Sequence, residues 1–132
     1  MKQLLDKEHV NPSVIKLSDK FELFTQQWTP KILASCNNQL VKIAKVSGEF
    51  VWHKHEGQDE LFLVVKGKLT IDLPENESIS LNEGDITVIP KGMEHRPRTE
   101  GEEVWILMIE PPETLNTGQH INERSISNPD WI

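Results

Sequence analysis

From residue 31 to residue 109 the chain is a succession of short β-prone runs separated by turn residues, and no second helix is needed to account for it. The runs are Ile32 to Cys36, Leu40 to Val46, Phe50 to His55, Glu60 to Lys66, Lys68 to Leu73, Ser78 to Leu81, Asp85 to Ile89 and Val104 to Ile109. Gly48, Gly57, Gly67, Asn76 and Gly84 are among the breaks. Asn37-Asn38, between the first two runs, tolerates positive φ and suits a tight hairpin. Many short strands at close spacing predict an all-β sandwich or barrel.

The flanks are of a different character. Residues 1–17 show no regular period and are expected to form an arm. Ser18 then reads as a helix N-cap, with Asp19 in the first turn and Phe21, Phe24 and Trp28 recurring at spacings of three and four before Pro30 stops the segment. The expected division is an arm with one short helix over 1–30, a barrel over 31–110, and a polar tail over 111–132 packed on the barrel's outside. A length of 132 residues suits one such core and is too short for two ordinary domains.

Leu61-Phe62-Leu63-Val64-Val65 and Val104-Trp105-Ile106-Leu107-Met108-Ile109 are apolar on both faces of a strand. A barrel interior covers only one of those faces. The other predicts a homodimer, or else an outer face covered by the chain's own arm and tail.

Charge excludes some partners. The net charge is -7, and no cluster of Lys or Arg is dense enough to follow a phosphate backbone, so nucleic acid is not an expected partner. Lys66 and Lys68, like Arg96 and Arg98, read as solvated strand or turn residues. No apolar run approaches the length of a bilayer span and the first residues lack a signal-peptide core, so a membrane is not expected and a cytoplasmic location is. Cys36 is the one cysteine, which rules out an internal disulfide; in its apolar stretch it reads as a small buried thiol.

The chemistry lies in two stretches. In Trp52-His53-Lys54-His55, alternation along a strand points both imidazoles to one face and Lys54 to the other. A turn over Glu56 to Asp59 returns the chain, and Glu60 opens the next run beside the histidines. Downstream, Asp85 to Ile89 enters a turn at Pro90-Lys91-Gly92, and His95 starts the strand that leaves it, placed to close the site from across the barrel. A His-x-His pair alone is a common accident. Three of five histidines and a carboxylate at positions set by flanking glycines and a proline form a constellation suited to a metal.

That constellation resembles the cupin superfamily. The first cupin motif, G-x5-H-x-H-x(3,4)-E-x6-G, falls on Gly48, His53, His55, Glu60 and Gly67; the second, G-x5-P-x-G-x2-H-x3-N, falls on Gly84, Pro90, Gly92 and His95. Two positions depart from it. Four residues rather than five separate Gly48 from His53, and Thr99 stands where the motif has asparagine. The runs around Gly48 to His53, Asp59 to Phe62 and Leu115 to Gly118 further resemble small cupins labelled mannose-6-phosphate isomerase-like, within the RmlC-like jelly-roll group. The resemblance implies a double-stranded β-helix with one divalent transition metal on His53, His55, Glu60 and His95.

Three imidazoles and one carboxylate suit Fe, Mn, Ni, Zn, Co or Cu. The implied ligand is a small molecule, and three functions follow: a metal-dependent isomerase or lyase acting on an oxygen-rich, sugar-like metabolite; a non-haem dioxygenase; or a non-catalytic small-molecule-binding cupin. In a regular strand Glu49 shares the face of His53, which makes it either a possible catalytic acid or base or a strand-end carboxylate in solvent. His9 and His120 fall outside the barrel.

Overall fold

The two runs that are apolar on both faces lie side by side at the centre of one sheet. In the structure, a computed structural model describing residues 12–112, 114–118, 125–126 and 128–132, β3 (Glu60–Lys66) pairs antiparallel with β8 (Val104–Glu110). The other elements are α1 (Leu17–Phe21), β1 (Lys31–Cys36), β2 (Gln39–Val46), β4 (Leu69–Asp72), β5 (Ser78–Leu81), β6 (Ile86–Ile89), β7 (Arg96–Arg98) and β9 (Asp130–Trp131). They form a six-stranded sheet ordered β6-β3-β8-β2-β1-β9 and a three-stranded sheet ordered β5-β4-β7. This is the expected all-β cupin barrel, a double-stranded β-helix with one short helix. The hairpin between β1 and β2 turns at Asn37, whose φ is 55°.

Alternation sorts the side chains. Val104, Ile106, Met108 and Glu110 of β8 are buried, with Ala44 and Val46 of β2 and Phe62 and Val64 of β3 beside them inside the barrel. Leu69, Ile71, Leu81 and Ile89 close that core from the remaining strands. On the outer face, Phe21, Phe24, Leu33 and Ile43 form a second core, in which the Phe21 ring stacks on Trp105 at 4.6 Å. The segment before the barrel thus covers part of the outer apolar face.

Three expectations need correction. The helix is a single turn: it starts at Leu17 after an extended Lys16, leaves Ser18 inside it rather than at its cap, and ends long before Trp28, whose φ is 58°. Phe21 and Phe24 enter the outer core while Trp28 packs against the inner one, stacked on Phe50 at 4.5 Å, so no single helical face could bury all three. The run Phe50 to His55 does not form a ladder strand; it makes an isolated bridge from His53 to His95, and Glu49 just before it bridges Arg98 of β7. Cys36 ends β1 exposed, because the hairpin carries it past the covered part of the sheet. The tail, expected to pack on the barrel's outside, also contributes a strand, for β9 adds a parallel edge to β1.

No helix among the described residues is long and apolar enough to cross a membrane.

Candidate metal centre

His53 and His55 sit on the connection between β2 and β3, Glu60 is the first residue of β3, and His95 directly precedes β7. Backbone bonds fix these pieces together. His53 N donates to His95 O at 3.0 Å and His95 N to His53 O at 2.8 Å, while Gly92 N donates to His55 O at 2.7 Å. Asp59 Oδ1 accepts from Lys91 N at 2.9 Å, tying the two turns that flank the site. Glu60 is held at the other side by its pairing with Ile89.

The structure brings the four predicted ligands together. His53, His55, Glu60 and His95 are all buried, and one donor atom from each lies within 4.8 Å of the others. His53 Nδ1 and His95 Nδ1 each bond a backbone carbonyl two residues back, Val51 O and Met93 O, both at 2.9 Å. Those bonds fix the tautomer and leave Nε2 of each ring as a lone-pair donor.

His55 Nε2, His95 Nε2 and Glu60 Oε1 are buried without a hydrogen-bond partner among the described residues. Both Nε2 atoms approach the same Glu60 oxygen, at 3.4 and 3.5 Å, too long for good hydrogen bonds but close to the separation of two donors each roughly 2.1 Å from one ion. Unpaired buried polar atoms are costly, so their convergence fits a site for a cation.

The electrostatics agree. Burial, followed by the neighbouring His95, lowers the pKa of His53 to about 4, so the ring is neutral and able to ligate at neutral pH. Burial alone would push the Glu60 carboxyl up, but its contacts with His55 and His95 outweigh that and hold it well below the usual carboxylate range. A neutral His53 ring and an ionised Glu60 carboxylate are therefore presented together with the Nε2 atoms of His55 and His95.

A cavity adjoins the cluster and leaves about 40 Å³ for the centres of water-sized molecules. His53 and Glu60 form its polar end, and Trp28, Phe50, Phe62 and Met108 are among its apolar walls. Glu110 and Asn116 also line it, and neither was singled out from the sequence. The signal for Glu110 was available in the alternation of β8, which continues one residue beyond Ile109 and turns that carboxylate inward with Met108.

Glu49 is not brought to the cluster. Phe50 and His53 both point inward, with their rings edge to face at 5.4 Å, so an irregularity between them breaks simple alternation and turns Glu49 outward. Its carboxylate, 62% exposed, faces Arg96 at 3.4 Å in an outer groove shared with Trp52 and Asp72. Glu56 and Glu94, neighbours of ligands in sequence, are exposed. His9 and His120 lie outside the described residues.

Comparison with known proteins agrees with this geometry. A family model described as Cupin domain matches residues 39–110, more than half the chain. The chain is 40% identical over 67 residues to the uncharacterized protein YdbB of Bacillus subtilis (strain 168), a match spanning 51% of this chain and 59% of that protein. Among solved structures it is similar to a cupin-2 domain containing protein from Shewanella frigidimarina NCIMB 400, with 47% identity and a TM-score of 0.72 over 74% of this chain and 94% of that one. It is also similar to protein NMB1881 from Neisseria meningitidis, with 26% identity and a TM-score of 0.69 over 75% and 99% of the two chains. With both motifs, the barrel and the buried ligand set in agreement, the chain belongs to the cupin domain family.

Proposed function

We propose that this cupin is a metal-dependent enzyme that holds one divalent transition metal on His53, His55, Glu60 and His95 and acts as an isomerase or lyase on a small oxygen-bearing metabolite. The observation carrying the reading is the convergence of three buried donor atoms, without hydrogen-bond partners among the described residues, beside a largely apolar cavity. A bound divalent ion would supply Lewis-acid polarisation of a ligand oxygen.

The chain's own residues do the rest. Val51 O and Met93 O orient His53 and His95, and burial keeps the His53 ring neutral. Glu60 supplies the single negative charge of the ligand set. Trp28, Phe50 and Phe62 exclude water from the ligand's body and confine it against the polar end. Their apolar character and the small cavity favour a ligand of a few heavy atoms over a hexose phosphate, which restricts the sugar-like expectation. The likeness to mannose-6-phosphate isomerase-like cupins supports an isomerase.

Elemental analysis of the purified protein tests this. The expected result is close to one transition metal per chain, lost in His53→Ala with His55→Ala; equal metal content in that variant would sink the assignment. Mn, Zn, Ni or Co in an oxygen-insensitive protein fits the Lewis-acid reading. Iron accompanied by oxygen uptake would replace it with a dioxygenase.

The same proposal includes a homodimer in the cytoplasm. Leu61, Leu63 and Ile109 on the outer face are only half-buried, and beside them the edge strand β6 exposes Ile86 and Val88. With a single cysteine, no internal disulfide calls for an oxidising compartment.

A further inference from the structure

Next to the ligand cluster the barrel buries a lysine and a glutamate against each other. Glu110 and Lys42 are 1% and 2% exposed, and Lys42 Nζ lies 3.2 Å from Glu110 Oε1. They reach each other diagonally across adjacent strands, where Leu40 pairs with Glu110 and Lys42 with Met108. The other inward positions there are apolar: Leu40, Ala44 and Val46 on β2, and Val104, Ile106 and Met108 on β8. A buried ion pair is often no more stabilising than apolar residues of the same volume. Stability is therefore a poor reason for this one.

The pair uses only one of the two carboxylate oxygens. No donor among the described residues reaches the buried Glu110 Oε2; the Glu110 carboxyl lies beside that of Glu60, and both residues line the cavity with His53 and Phe50. A carboxylate oxygen accepts and a carboxylic acid also donates, whereas a hydroxyl does both. A ligand hydroxyl therefore matches Oε2 in either protonation state; a carbonyl or an ammonium matches only one.

We infer that Glu110 Oε2 is the contact that orients a ligand hydroxyl in this cavity, with Lys42 as the positioning residue that holds the carboxyl in place. The ligand class is a small hydroxylated molecule whose carbon body packs against Trp28, Phe50 and Phe62. The inference rests on the cavity being the ligand site of the proposed enzyme and narrows what that site selects.

The test compares hydroxyacetone with acetone, titrated into the protein with and without zinc and followed through backbone amide NMR shifts. Glu110→Ala alone would leave Lys42 buried and unpaired, so the informative variant is Lys42→Met with Glu110→Met, which removes both charges at similar volume. Wild-type protein should bind hydroxyacetone about tenfold more tightly than acetone, in the metal-free form as well, and the double variant should reduce that preference to about twofold with zinc content unchanged.

Three results overturn the inference: a preference that survives in the double variant, shifts from neither probe at the cavity residues, or loss of zinc in the double variant, which would make the pair a support of the metal cluster. Failure of the wild-type protein to take up zinc, with the hydroxyl preference still present, would overturn the metal reading and leave the role of Glu110 standing.

Discussion

Gly48 and Thr99, the positions at which the chain departs from the two cupin motifs, are bonded to each other. Gly48 N donates to Thr99 Oγ1 at 2.9 Å, and Thr99 N donates to Gly48 O at 2.9 Å. The threonine hydroxyl also donates to Glu102 O at 2.8 Å and accepts from Gly101 N at 3.2 Å. A shortened entry to the first motif and a changed residue in the second are thus two sides of one junction. It ties the start of the histidine-bearing segment to the end of β7.

Thr99→Val tests that junction, since it keeps the shape and removes the hydroxyl. It leaves Gly48 N, Gly101 N and Glu102 O without their partner, and Thr99 is 5% exposed, so water replaces it poorly. The expected loss is about 1–3 kcal/mol of unfolding free energy in urea titrations. Thr99→Ser, which restores the hydroxyl, should recover most of it.

The ligand cluster was legible because it depends on local order. Once the strand following the turn is known to begin near Glu60, alternation and turn spacing bring His53, His55 and Glu60 to one place, and the Pro90-Lys91-Gly92 turn delivers His95. Glu110 was hidden by a boundary, since ending the last run at Ile109 left its parity unread. Glu49 was misplaced by the irregularity between Phe50 and His53, which no residue type announces. The aromatic period of Phe21, Phe24 and Trp28 reads as a helix but arises from a segment that serves two cores in turn. Periodicity records which residues are buried, not which core buries them.

Gly118 approaches the backbone between two of the ligands. Its φ is 63°, and a Cβ at that position would overlap Lys54 O, in the residue that separates His53 from His55. Gly118→Ala therefore meets both backbone strain and a clash that no flexible side chain can relieve. A loss of about 2–3 kcal/mol is expected, with weaker metal retention against a chelator. Unchanged thermal stability would show that the tail does not press on the ligand segment.

Asp72 gives the outer groove a pH signature. It accepts from Arg96 Nη2 at 2.8 Å and from Arg98 Nε at 3.0 Å. Burial opposes its ionisation, but hydrogen bonds from Arg96 and Arg98 outweigh that and hold its pKa below the usual value. A carboxyl depressed in the folded state contributes stability above its unfolded pKa and loses it as pH falls through the folded one. Asp72→Asn should be less stable than wild type at about pH 7, and the gap should narrow as pH falls below about 4. Urea midpoints for the two proteins across that range measure it; a gap independent of pH would mean that packing, not charge, is lost.

The outer edge of the large sheet bears on the dimer. Ile86 is 62% exposed and Val88 50%, on a strand with one neighbour among the described strands, and they stand opposite Leu63 and Leu61. Such a surface is unfavourable in water unless something covers it, and a second copy can do so across a two-fold axis. Ile86→Lys with Val88→Lys places two charges on that edge while leaving the inward Thr87 and Ile89, and hence the pairing of Ile89 with Glu60, untouched. Light scattering at micromolar concentration should report a dimer for the wild type and a monomer for the double variant, with equal metal content in both. A wild-type monomer would contradict the dimer, and a variant that stays dimeric would place its interface elsewhere on the barrel.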